Sequence, residues 1–76
     1  MVDEEISWRE EFEEYLRLTE EYPVAVARLE EALNAVMESG GSDEAKLAYE
    51  KAAEAEHRIA ARLYELRRRL KDILGP

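Results

Sequence analysis

A glycine pair, Gly40-Gly41, divides this chain into two stretches of equal length that are compatible with helix. Residues 7–38 and 43–74 are rich in Ala, Leu, Glu and Arg, which have high helix propensity. At about 1.5 Å per residue, each arm would be roughly 48 Å long. Two such arms joined by a turn at residues 39–42 predict an all-α antiparallel helical hairpin, with residues 1–76 forming a single domain.

Local end signals support these bounds. Ser7 and Glu10 have the spacing of a capping box and predict the start of the first arm, while Asp3 is an earlier alternative that would add a turn. Ser42 is a predicted N-cap because acidic residues follow it directly. The terminal Gly75-Pro76 is a normal helix stop. We therefore place the first arm at about 7–38 and the second at about 43–74.

Pro23 interrupts the first arm without changing its periodicity. Proline lacks the amide that would bond the Thr19 carbonyl, and it disfavours helical angles at Tyr22. Two outcomes remain open: one kinked or locally broken but collinear arm, or two helices that double back into a three-helix bundle. The unchanged spacing on either side favours the collinear arm. We expect the Thr19 hydroxyl to compensate for the missing backbone bond.

Each arm carries an apolar stripe at spacings of three and four, which is the period of left-handed helical bundles. The first predicted stripe contains Trp8, Phe12, Tyr15, Thr19, Tyr22, Val26, Leu29, Leu33 and Val36. The second contains Ala45, Ala48, Ala52, Ala55, Ile59, Leu63, Leu66, Leu70 and Ile73. Folding at the glycine pair places residue i roughly opposite residue 81 − i.

The charge distribution favours this pairing. Residues 1–22 hold nine acidic and two basic residues, whereas residues 58–76 hold six basic and two acidic ones. We expect Arg67-Arg68-Arg69 to be balanced within the chain by the acidic first arm. The net charge of −8 argues against nucleic acid as a partner.

The composition also limits compartment and redox chemistry. The chain has no cysteine, so neither a disulfide nor a thiolate metal site can form. No apolar run reaches membrane-spanning length, and the acidic start is unlike a signal peptide. We expect a soluble protein with no membrane partner, cytoplasmic where a host expresses it, although the sequence itself assigns no location.

The apolar arcs are wider than one hairpin seam needs, and this predicts a second neighbour. The simplest second neighbour is another copy of the chain. This gives a homo-oligomeric bundle, for which a dimer is favoured and a trimer or tetramer is also compatible with the sequence. The alternative is a monomeric three-helix bundle that presents an apolar groove to the helix of another protein. The predicted oligomer interface contains Tyr49, Ala53, His57, Ala60, Tyr64, Leu18, Ala25 and Ala32.

Features that could support catalysis or metal binding are weak. Glu54 and His57 have the Glu-x-x-His spacing of di-metal bundles, but such matches arise by chance in a chain with this many glutamates. Glu56 lies near the apolar stripe, where a carboxylate could act as a base or, more simply, pair with an arginine such as Arg28 of a neighbouring copy. We assign no catalytic, cofactor-binding or metal-binding residue and expect no enzymatic activity.

The segment SDEAKLAYEKAAEAEHRIAARLYELRRRLKDIL, together with the capped glycine turn, resembles computationally designed helical bundles. The resemblance extends over essentially the whole chain, apart from Pro23 and the uneven aromatic content, and we recognise no natural family in it. It implies a self-assembling scaffold without a cellular substrate.

Overall fold

The computed structural model describes residues 2–75, and the side chains of residues 8–73. Two helices, α1 (Val2–Glu38) and α2 (Asp43–Leu74), pack against each other as an antiparallel hairpin. The longest dimension is 56 Å, with 21 and 15 Å across, as expected for a 37-residue helix at about 1.5 Å per residue. The predicted all-α hairpin is confirmed.

The first helix begins earlier than predicted. It includes Ser7 and Glu10 in its interior, so the interpretation of this pair as a capping box is wrong. Asp3 also lies inside the helix rather than at its cap. The reason is chemical: the acidic residues that precede Ser7 are favourable in a first turn, where the helix dipole is positive.

The turn forms as predicted and ends α1 with a Schellman motif. The Gly41 amide donates to the Val36 carbonyl at 2.8 Å, and the Gly40 amide donates to the Met37 carbonyl at 3.3 Å. Both glycines have positive φ angles, 70° and 85°, which disfavour other residues. Ser42 then caps α2, because its Oγ accepts from the Ala45 amide at 3.2 Å.

Helix α1 continues through Pro23, so the alternative in which the chain doubles back into three helices is wrong. The Thr19 hydroxyl donates to the Tyr15 carbonyl at 2.7 Å. It therefore does not replace the bond that Pro23 removes, which belonged to the carbonyl of Thr19 itself. Thr19 and Pro23 are both exposed, and water can reach that side of the helix.

The buried side of α2 follows the predicted stripe from Ile59 to Leu70, whereas Ile73, its last predicted member, is 51% exposed. Leu66 is completely buried and Leu70 is 6% exposed. Nearer the turn, Tyr49 and Glu56 are partly buried where the prediction placed Ala48 and Ala55, which are exposed. Exposure of the two alanine side chains costs little free energy, whereas the longer Tyr49 and Glu56 side chains reach α1.

The buried side of α1 differs more from the prediction. Leu18 and Ala25 are 9% and 7% exposed and form the seam with α2, whereas Phe12 and Leu33 are 38% and 45% exposed. Leu18 and Ala25 were predicted to lie in an interface with another copy, but both are buried inside the hairpin. Ala25 has no bulk beyond Cβ, so its row lets the two helices approach closely. The larger residues of the neighbouring row remain outside.

Candidate interface on one face of the hairpin

One side of the hairpin is held together by ion pairs between the helices. Arg62 forms a bidentate contact with Glu14, with Nε–Oε2 and Nη2–Oε1 distances of 2.8 and 2.9 Å. Arg69 donates to Glu11 at 2.9 Å and lies 3.9 Å from Glu65. We call this surface, centred on Glu11, Glu14, Arg62 and Arg69, the charged side.

These contacts confirm that the acidic first arm pairs, through Glu11 and Glu14, with the basic end of α2. The Arg62 hydrogen bond holds the pKa of the Glu14 carboxyl below its ordinary value of 4.5. Reciprocally, Glu14 raises the pKa of Arg62 above its ordinary range. Among the described side chains, Arg67 and Arg68 form no such ion pair, so the predicted internal balance of the arginine triplet holds for Arg69.

The opposite surface is apolar and aromatic. A groove between the helices is lined by Tyr15, Thr19, Tyr22, Ala60, Leu63, Tyr64 and Arg67. Towards the turn, a shallow depression on the same side is lined by Leu29, Tyr49, Ala53 and His57 together with four charged residues, Glu50, Glu54, Glu56 and Arg58. We call this continuous surface the aromatic face. Helical periodicity also places Phe12, Val26 and Leu33 along its α1 margin.

A polar contact lies near the middle of the aromatic face. The Tyr22 hydroxyl donates to Glu56 Oε2 at 2.9 Å and connects the two helices. This hydrogen bond and the adjacent negative charge raise the pKa of Tyr22 above its ordinary value of 10.0. Glu56 is thus engaged inside its own chain, in a role that the sequence did not predict.

The aromatic face contains the α2 residues predicted for the interface: Tyr49, Ala53, His57, Ala60 and Tyr64. Their α1 neighbours differ from those predicted. Leu18 and Ala25 are in the seam, and Ala32, spaced seven residues from Ala25, is partly buried in the same row. Tyr15 and Tyr22, which were assigned to the seam, line the groove instead.

A sequence signal could have located this face. Glu11 belongs to the Leu18 row, seven residues before Leu18, and Glu14 lies beside that row. Their partners Arg69 and Arg62 are on one side of α2. Pairing these charges first would have turned the Leu18 row inward and the Phe12 row outward.

The residues considered for chemistry are not assembled into a site. Glu54 and His57 are both exposed. Within the described residues, no group of three or more His, Asp or Glu side chains converges as metal ligands would. Over that same part of the chain, neither helix has the length and apolarity needed to cross a bilayer.

Comparison with protein-family models, curated proteins and solved structures finds no match to this chain.

Proposed function

We propose that this protein is a structural scaffold that associates with itself through the aromatic face. Two hairpins joined in this way form a four-helix bundle. The role is assembly without catalysis, in line with the resemblance to designed helical bundles. A dimer is the favoured form because each hairpin has one extended aromatic face.

The observation that carries this proposal is the amount of surface left uncovered. The hairpin exposes 6260 Å², whereas a compact protein of 8.8 kDa exposes about 4800 Å². Its radius of gyration is 16.9 Å, against about 11 Å for a compact chain of this length. The excess of roughly 1500 Å² exceeds the ~800 Å² that each partner buries in a standard interface.

The distribution of side chains favours the aromatic face over the charged side. On the charged side, Arg62 and Arg69 already have carboxylate partners, and a docked copy would have to dehydrate these pairs. On the aromatic face, Phe12, Leu33 and Tyr64 expose 38, 45 and 66% of their surface. Covering apolar area of this kind is favourable by about 25 cal/mol per Å².

Absolute mass in solution tests the proposal. Light scattering behind a sizing column, over a concentration series, should give a multiple of 8.8 kDa, with a dimer expected. A mass that stays at one chain up to high concentration would overturn self-association. It would instead favour a module whose aromatic face receives a helix from a different protein.

A pair of double variants locates the interface. Tyr49→Glu with Ala60→Glu puts two charges on the aromatic face and should reduce the mass to that of one chain. Ala48→Glu with Ala55→Glu puts the same charges at exposed alanines outside that face and should leave the oligomer intact. Circular dichroism should show that both remain helical. The opposite pattern would place the interface elsewhere.

A further inference from the structure

We infer that the hydrogen-bonded pair Tyr22–Glu56 determines the specificity of the aromatic face: the pair admits a second copy of the chain, rejects purely apolar helices, and lowers the affinity in doing so. This inference rests on the proposed self-association. It deepens that proposal by naming the residues that select the partner, and it does not depend on how the two hairpins are oriented.

The pair lies in the middle of the aromatic face. Tyr22 lines the groove and Glu56 lines the depression towards the turn, so their hydrogen bond of 2.9 Å connects the two parts of the face. Bulky side chains lie on both sides of the pair, with Tyr49 towards the turn and Tyr64 towards the opposite end. A partner that covers the face must therefore also cover the Glu56 carboxylate.

Covering this carboxylate has a free-energy cost. Among the described side chains only one of its oxygens, Oε2, has a donor, the Tyr22 hydroxyl. Glu56 is partly buried, whereas Glu50 and Glu54, which also line the depression, are exposed and easier to keep hydrated. A docked partner removes water from Glu56, and the penalty remains unless that partner supplies a donor.

A second copy supplies such donors, whereas a purely apolar helix does not. The aromatic face presents Tyr15, Tyr49 and Tyr64, whose hydroxyls donate no hydrogen bond among the described side chains. Arg67 lines the same face and has no carboxylate partner among them. A helix that offers only leucine and alanine leaves Glu56 without a donor and binds more weakly for that reason.

Variants of the pair test the inference, because removing one partner of a buried hydrogen bond and removing both have opposite effects. Tyr22→Phe leaves the Glu56 carboxylate without its internal donor and should weaken the dimer about ten-fold. Glu56→Leu removes the carboxylate and should tighten the dimer about ten-fold, although it removes the same hydrogen bond. The double variant should be as tight as Glu56→Leu alone.

Dissociation constants come from mass measured over a concentration series, with circular dichroism to show that each variant is helical. Glu56→Gln keeps an acceptor for Tyr22 without the charge, so its dissociation constant should fall between those of wild type and Glu56→Leu. Glu31→Leu is the matched control: it makes the same substitution at an exposed position of α1 outside the aromatic face. It should leave the dissociation constant unchanged.

Binding of a foreign helix measures specificity directly. The probe is a fluorescent amphipathic peptide of leucine and lysine, with its leucines on one face, added to protein dilute enough to be dissociated. Glu56→Leu should bind this peptide about ten-fold more tightly than Glu31→Leu does. The two variants have the same net charge, so the lysines of the peptide cannot account for the difference.

The outcomes separate this inference from self-association. Opposite effects of Tyr22→Phe and Glu56→Leu on the dimer, with peptide binding gained by Glu56→Leu, support it. If Tyr22→Phe does not weaken the dimer, if Glu56→Leu does not tighten it, or if the peptide does not distinguish Glu56→Leu from Glu31→Leu, the inference is overturned and self-association stands. A mass of one chain for every variant at every concentration overturns self-association itself.

Discussion

The hydrogen bond between Tyr22 and Glu56 is the polar link between the helices on the aromatic face. A carboxylate next to an apolar seam is costly unless it is hydrogen-bonded. The Tyr22 hydroxyl donates the hydrogen bond that the Glu56 carboxylate needs, and it does so without adding a second charge. Since the Tyr22 hydroxyl and the Glu56 carboxylate must lie at the same level to form this bond, the bond also favours one register of α1 against α2.

Removing this bond should make stability less sensitive to alkaline pH. The pKa of Tyr22 is raised in the folded chain, so its stabilising contribution is complete below pH 10.0 and is lost as pH rises through the raised value. Tyr22→Phe should therefore lower the urea midpoint at pH 7, and the difference from wild type should shrink as the pH rises above 10.0 and through the raised pKa of Tyr22.

Tyr15→Phe is the control for this experiment, because the Tyr15 hydroxyl makes no hydrogen bond among the described side chains. It should change the midpoint little at either pH. An equal loss from both variants would show that the Tyr22 bond has no special effect.

At the scale of the helices, local chemistry explains the turn and the ends of α2. The αL glycine, the Schellman bonds and the Ser42 cap all satisfy backbone groups that would otherwise lack partners. Pro23 is the local exception. Helix α1 passes through it because packing along both halves outweighs the lost hydrogen bond.

Replacing Pro23 should therefore stabilise the hairpin. Pro23→Ala restores an amide to the Thr19 carbonyl at an exposed site and should raise the free energy of unfolding by about 1–3 kcal/mol. Chemical denaturation at fixed protein concentration measures the change. Pro23→Gly restores the same amide with poorer helix propensity, so its gain should be smaller by about 1 kcal/mol. A loss of stability in the alanine variant would mean that the proline geometry is required for the packing of α1.

At the scale of the whole molecule, α1 offers two adjacent rows of side chains to its surroundings. The row with Leu18 and Ala25 forms the seam, and the row with Phe12 and Leu33 lies on the aromatic face. The first holds the hairpin together, while we propose that the second holds copies together.

Two truncations should separate these roles. Leu18→Ala should lower the unfolding free energy by about 2–3 kcal/mol at every protein concentration, because it leaves a cavity in the seam. Leu33→Ala should cost less than about 1 kcal/mol in the dilute, dissociated protein. It should instead reduce the concentration dependence of the melting temperature. If the two variants behave alike, the rows do not have separate roles.

The sequence alone was sufficient for the features set by local chemistry. The Gly40-Gly41 turn, the bounds of α2, its Leu66–Leu70 seam and the pairing of acidic α1 with basic α2 could all be predicted from residue types and spacing. The start of α1 could not, because favourable acidic residues extended the helix beyond a plausible cap.

Tertiary structure decided which side of α1 faces α2. Trp8, Tyr15, Tyr22, Leu29 and Val36 repeat every seven residues and belong equally to either of two stripes. One stripe adds Leu18 and Ala25, and the other adds Phe12 and Leu33. Periodicity cannot choose between them, because both have the same spacing and both are apolar. The choice depends on how closely α2 can approach and on where its arginines find carboxylates, and only the packed pair of helices determines both.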